Sequence, residues 1–242
     1  MHTSRMVDSR NAALGIEAGD QRDQGDRGFL LSWVLATSVG LVVGGAVAAA
    51  VEEAIRRSWY RFDMPESEEV FKVALAVGVM LFIWGAVIGT MQWTVLRRRL
   101  PGSGWWAPAT AAGWCLAGVV AGVFSAVVNE FSPSGSEGIT IVKIAVGFIP
   151  FLLWPLFQWL GLRRRVAAAV QWLWGSVGAL FLAGVGAFAV VRGAMVGAGW
   201  LTPYDFPSIM AFALFGVVMG PIYGAITGVV MVRLLRRQRT TS

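Results

Sequence analysis

Apolar residues run nearly unbroken through six stretches of the chain, Phe29–Val51, Val70–Leu96, Trp105–Val128, Ile139–Leu162, Val166–Val191 and Ser208–Leu235, and polar residues collect between them. A hydrocarbon layer about 30 Å thick takes roughly 20 helical residues, and every backbone N–H and C=O inside it has to be satisfied without water. The pattern therefore predicts an all-α polytopic membrane protein. Residues 1–28 are expected to form a polar, disordered cytoplasmic tail, 29–235 a domain of six transmembrane helices, and 236–242 a short basic cytoplasmic tail.

Composition supports this reading. Hydrophobic residues make up 56% of the 242 positions and charged residues only 14%, too little polar material to cover a water-soluble globule of this length. The net charge of +6 does not point to nucleic acid, because the arginines fall in short clusters directly after apolar runs, where orientation signals belong. With six spans, fourteen of the twenty cations lie on one side, including Arg97–Arg99, Arg163–Arg165, Arg233, Arg236, Arg237 and Arg239, and nine of the fourteen acids lie on the other. The cation bias places both termini in the cytoplasm. The small residues in GGAVAAAVEE, 44–53, allow an alternative in which the first span is a signal sequence, but the long acidic segment ahead of it argues for a retained helix.

Two stretches nearly repeat. Shifted by 66 residues, Gln92, Trp93, Leu96, Arg97, Arg98, Arg99 and Trp106 coincide with Gln158, Trp159, Leu162, Arg163, Arg164, Arg165 and Trp172. A shift of 139 lays Gly85, Ala86, Gly89, Leu96, Arg97 and Arg98 on Gly224, Ala225, Gly228, Leu235, Arg236 and Arg237. A third shift, of 73, matches Trp33, Ala36, Thr37, Gly40 and Gly45 to Trp106, Ala109, Thr110, Gly113 and Gly118. The chain thus reads as three pseudo-repeated helical hairpins running in one direction through the membrane, with a pseudo-threefold ring as the simplest closed arrangement.

Candidate sites follow from the repeats. Arg97, Arg98, Arg99, Arg163, Arg164, Arg165, Arg236 and Arg237 stand where guanidinium groups meet anionic lipid headgroups, and Trp93, Trp106, Trp159 and Trp172 are expected to anchor the same interface. Gln92 and Gln158 lie slightly deeper, where an amide seeks a neighbouring helix or water, and form a candidate polar pocket. Gly85, Gly89, Gly216, Gly220, Gly224 and Gly228 recur at four-residue spacing and predict close helix packing, within the chain or, as the alternative, against a second copy or another membrane protein. Pro150, Pro155 and Pro221 predict kinks. Between the first two spans, Glu53 precedes Arg57 in the favoured order for a helical ion pair, and Asp63 with Glu66 resembles a capping box. GWLTPYDFPS, 199–208, reads as an interfacial loop.

Chemistry for catalysis is sparse. Cys115 is the one cysteine and His2 the one histidine, so an intrachain disulfide and any two-histidine metal site within one chain are ruled out. No Asp, Glu, Lys or Arg falls near the middle of a span, which disfavours proton pumps and carriers that need buried carboxylates. No catalytic residue, metal or cofactor is assigned. The expected role is non-enzymatic: a structural, assembly or lipid-interacting membrane component, with passive passage of a small solute through the ring as the alternative.

The pattern GxxxGxxQWxxLRRRxxxxxWW, from Gly85 to Trp106, resembles that of a group of uncharacterised bacterial multi-pass membrane proteins with repeated Gln-Trp/Arg motifs. The resemblance covers the membrane portion and not residues 1–28. It implies a bacterial cell-membrane location and nothing catalytic. The copy from Gln158 to Trp172 departs from it by lacking both glycines and carrying Gln171 in place of the first paired tryptophan.

Overall fold

A computed structural model of the chain describes residues 3–59, 69–131, 149–197 and 208–241. All described elements are helical. They are α1 (Thr3–Trp59), α2 (Glu69–Leu96), a 3-10 turn (Ser103–Trp105) leading into α3 (Trp106–Phe131), a second 3-10 turn (Ile149–Leu152) leading into α4 (Leu153–Leu162), α5 (Val170–Gly197) and α6 (Ser208–Thr241). Five segments, Asp23–Ile55, Val70–Leu96, Ser103–Phe124, Val170–Gly197 and Phe212–Gln238, are long and apolar enough to cross a membrane, and Ile149–Leu162 is a shorter apolar helix. Residues 139–148 of the expected fourth span lie outside the described residues, as do Asp63, Glu66 and all but the last residue of 199–208.

Several boundaries move. Helix α1 passes through the boundary expected at Phe29 without a break, so the region next to the membrane is helix and not a loose tail. The cause lies in its charges: Asp23 and Asp26 share one face of α1 and are held by Arg236 and Arg99 from other helices. At the other end α6 likewise continues past Leu235 through most of the basic tail. The fifth helix begins at Val170 instead of Val166, because the turn after Arg165 is longer than expected and puts Ala168 in the left-handed region at φ 58. Gly102, which coincides with Ala168 at the 66-residue shift, has φ 73. The two turns share a backbone conformation that glycine adopts freely and alanine only under strain.

The prolines take different places in their helices. Pro155 sits in the first turn of α4, where its missing N–H has no acceptor to lose, and Pro221 lies inside an unbroken α6. The fourth segment does change character, from 3-10 to α geometry, just after Pro150.

The helices pack in a cycle: α1 against α2, α2 against α3, α3 against α4, α4 against α5, α5 against α6, and α6 back against α1. In hydrocarbon no hydrophobic force draws helices together, so close van der Waals fit has to do it, and small residues permit the closest approach. Gly216, Gly220 and Gly224 of α6 lie against the α1 backbone at Leu41, Ser38 and Val34, and Gly228 meets Leu30 and Trp33. Gly85 and Gly89 of α2 receive Trp114 and the Ala107–Thr110 turn of α3, and Gly113 of α3 meets the α4 backbone at Trp154. Outward, the bundle presents bare apolar side chains such as Leu31, Leu35, Phe71, Trp174 and Phe181, each at least 63% exposed. A soluble monomer rarely shows so continuous an apolar surface, while lipid chains solvate it without cost.

Candidate functional site

The cycle encloses a layered core at the end where the arginines gather. Its outermost layer is three indoles, Trp33 of α1, Trp106 of α3 and Trp172 of α5, all fully buried. Each ring meets the other two edge-on, with centroids 5.8 Å apart for Trp33–Trp106, 6.0 Å for Trp33–Trp172 and 5.1 Å for Trp106–Trp172. Edge-to-face contact sets the positive rim of one ring on the negative face of the next, which favours a closed triangle of this kind. The triangle fills the axis of the ring with side chains. Its three members coincide under the 73- and 66-residue shifts.

One turn deeper lie the hydroxyls of Thr37, Thr110 and Ser176, related by the same shifts and all fully buried. Gln92 and Gln158, also fully buried, reach them from the even-numbered helices. Gln92 Nε2 donates to Thr37 Oγ1 at 3.2 Å and Gln158 Nε2 to Thr110 Oγ1 at 2.9 Å. Gln92 Oε1 accepts the Trp106 indole N–H at 3.0 Å and stands 3.5 Å from Gln158 Nε2. Gln92 is therefore the hub of the layer, tying α1, α2, α3 and α4 together.

The third sector breaks the pattern. At the 139-residue shift Gln92 falls on Met231, which has no amide to offer. Trp33 Nε1 instead donates to Thr227 Oγ1 at 3.1 Å, one turn deeper on α6. Ser176 Oγ and Tyr223 OH face each other without reaching hydrogen-bond geometry, and Trp172 Nε1 and Gln158 Oε1 make no hydrogen bond. A buried polar atom without a partner is costly, and the indole N–H groups of Trp114 and Trp154 in the core also lack one.

Deeper again, four aromatic rings cross the axis: Trp84 and Trp114 have centroids 5.2 Å apart, Trp114 and Trp154 4.9 Å, and Trp154 and Tyr223 4.7 Å. Trp84 is fixed by its N–H, which donates to the Leu41 carbonyl at 2.9 Å. On the far side of these rings is a cavity of about 330 Å³ with an apolar lining that includes Val77, Met80, Trp84, Phe188, Phe212 and Phe215.

The predicted site residues divide between rim and core. Trp93 and Trp159 are partly buried under the guanidinium groups of Arg97 and Arg163, at 5.2 and 5.0 Å from the ring centroids. Trp106 and Trp172 point inward, so the expectation that they anchor lipid headgroups is corrected: a fully buried indole touches no lipid. Three of the arginines serve the fold. Arg99 is held by Asp26 at 3.2 Å and by the Gly25 carbonyl, Arg165 by the Gly102 carbonyl, and Arg236 by Asp23 at 2.9 Å and by Asp26. Arg98 and Arg164 stay exposed, as does Arg237. Arg57 and Glu53 pair at 2.7 Å, as their spacing predicts.

Sequence reasoning missed the inward residues Trp84, Trp114, Trp154, Tyr223 and Ser176. One signal was present: carrying the Thr37–Thr110 match forward by 66 residues lands on Ser176, and carrying Trp33–Trp106 forward lands on Trp172.

Fold and core together define a polytopic α-helical bundle of membrane-spanning length. Comparison with known protein families, curated proteins and solved structures finds no match to this chain.

Proposed function

We propose that the protein is a non-enzymatic, lipid-interacting component of a bacterial cell membrane, built as three related hairpins with both termini and the arginine clusters on the cytoplasmic face. The observation that carries this reading is the filled axis. The Trp33–Trp106–Trp172 triangle, the Gln92–Gln158 layer and the Trp84–Tyr223 row close it in succession. A solute path would need all three layers to part. Location rests on the arginine bias and on the resemblance of the repeated motif. Anionic lipid headgroups are the natural partners of the exposed Arg98, Arg164 and Arg237. A second copy of the chain would have to dock elsewhere than on the four-glycine face of α6, which α1 occupies.

A second reading, passive transport, draws on the 330 Å³ cavity inside the ring. Solute efflux from vesicles containing the purified protein decides between the two. The first reading expects efflux equal to that of empty vesicles; efflux that rises with protein content overturns it. Orientation is tested in intact cells on a Cys115→Ala background. A single cysteine placed at Arg98 should resist an impermeant thiol reagent until the cells are opened, and labelling from outside would reverse the topology.

A further inference from the structure

Two helical stripes face each other across the α1–α6 seam at the arginine end. Asp23, Asp26, Arg27 and Leu30 lie on α1, and Val229, Val232, Arg233 and Arg236 on α6. Both stripes follow the i, i+3, i+4, i+7 spacing of one helix face, and they run antiparallel, so Asp23 meets Arg236 at the rim while Leu30 and Val229 lie deeper. Between them is a groove of about 390 Å³. Seven residues separate its charged rim from its apolar floor, roughly 10 Å along the helix axis, which is the step from a lipid's headgroup to its first methylenes.

The charges do not cancel. Asp23 is taken by Arg236, and Asp26 by Arg236 and Arg99. That leaves Arg27 and Arg233, exposed and with no ion pair or hydrogen bond among the described residues. The repeat does not account for them either. Arg27 coincides with Leu100 and Val166, and Arg233 with Thr94 and Leu160. Two arginines from opposite ends of the chain therefore converge on one amphipathic groove for no reason that helix-end anchoring supplies.

We propose that this groove is a binding site for the phosphate-bearing headgroup of an anionic membrane lipid. Arg27 and Arg233 hold the phosphate, and Leu30, Val229 and Val232 pack against the start of an acyl chain. Basic pockets between transmembrane helices suit such headgroups, since guanidinium forks match phosphate oxygens and the apolar wall excludes freely diffusing anions. The Asp23 and Asp26 clasp fixes the two helices at the spacing the groove needs. The proposal rests on the reading of the chain as embedded in lipid with this end at headgroup depth.

The test uses the full chain purified in neutral detergent, with bound phosphatidylglycerol counted by native mass spectrometry over a lipid titration. Arg27→Gln/Arg233→Gln should lower phosphatidylglycerol affinity about thirtyfold, the weight of two cations near an anionic surface. Arg57→Gln/Arg192→Gln removes the same charge from exposed positions at the other end of the helices and should leave that affinity close to wild type. Arg27→Lys/Arg233→Lys should fall between the two, because it keeps the charge without the fork. Glycerol phosphate, which carries the phosphate without acyl chains, should not displace the lipid at equal concentration. Equal losses in the two Gln pairs, or displacement by glycerol phosphate, would overturn the site. A chain recovered in the soluble fraction would instead overturn the membrane reading on which it rests.

Discussion

Gly220→Leu should separate α1 from α6 and cost roughly 3 kcal/mol or more of stability, at or above the upper end for overpacked interiors. Even a methyl group at Gly220 would lie 2.5 Å from the Ser38 Cα, a backbone atom that cannot move without moving α1. The four glycines of α6 should not respond alike. At Gly216 the added Cβ would meet Leu41 and Val42 backbone at 2.9 Å and at Gly224 the Val34 Cα at 3.0 Å, whereas at Gly228 the nearest atom is the flexible end of Leu30. Alanine should therefore cost most at Gly220, less at Gly216 and Gly224, and least at Gly228. Gly178 of α5 has nothing within 4 Å of a Cβ, so Gly178→Leu should stay within about 0.5 kcal/mol of wild type. Unfolding in mixed micelles by increasing SDS measures the series. Equal sensitivity at Gly178 and Gly220 would mean that α1 does not pack on this face of α6.

That contrast also marks how far the sequence could be read. Gly216, Gly220, Gly224 and Gly228 announce a close helix contact by spacing alone, but spacing names no partner, and α1 as the partner is legible only in the fold. The same holds for direction. The spacing of Trp106 and Trp172 from the arginines sets their position along the chain, but that position does not say which way a side chain points. In a soluble helix the apolar stripe marks the inward face. Here both faces of a span are apolar, as the exposed Leu31 and Leu35 beside the buried Trp33 show, so hydrophobicity carries no such mark. Polar residues do. Gln92 and Gln158 were legible as inward-seeking because an amide in hydrocarbon needs a partner, and the structure brings the two together. The Asp26 clasp was not legible, since its partners Arg99 and Arg236 lie 73 and 210 residues away and matched the pattern of lipid anchors equally well.

Gln92→Leu should destabilise the bundle much more than Gln158→Leu, although the two residues coincide in the repeat. Removing the Gln92 amide takes away its bond to Thr37, the acceptor of the Trp106 N–H and the long contact with Gln158. Side-chain hydrogen bonds between helices in membranes average about 0.6 kcal/mol and reach about 1.7. Three at once put the loss at roughly 2–4 kcal/mol, because Trp106 Nε1 is then left in a dry core. Gln158 contributes one short bond, to Thr110, and its Oε1 already lacks a partner, so its loss should cost about 1 kcal/mol. Thr110 softens that loss further, since its hydroxyl also donates to the Trp106 carbonyl within its own helix. Met231→Gln works in the opposite direction by placing an amide at the third equivalent position, which the repeat pairs with Ser176, whose hydroxyl has no partner. It should offset part of the Gln92→Leu loss only if the third sector is built like the first two. SDS unfolding of the two single variants and of Gln92→Leu/Met231→Gln separates these outcomes. Equal losses for Gln92→Leu and Gln158→Leu would remove Gln92 from the centre of the network, and a Met231→Gln chain less stable than wild type would show that the third sector is packed around its methionine.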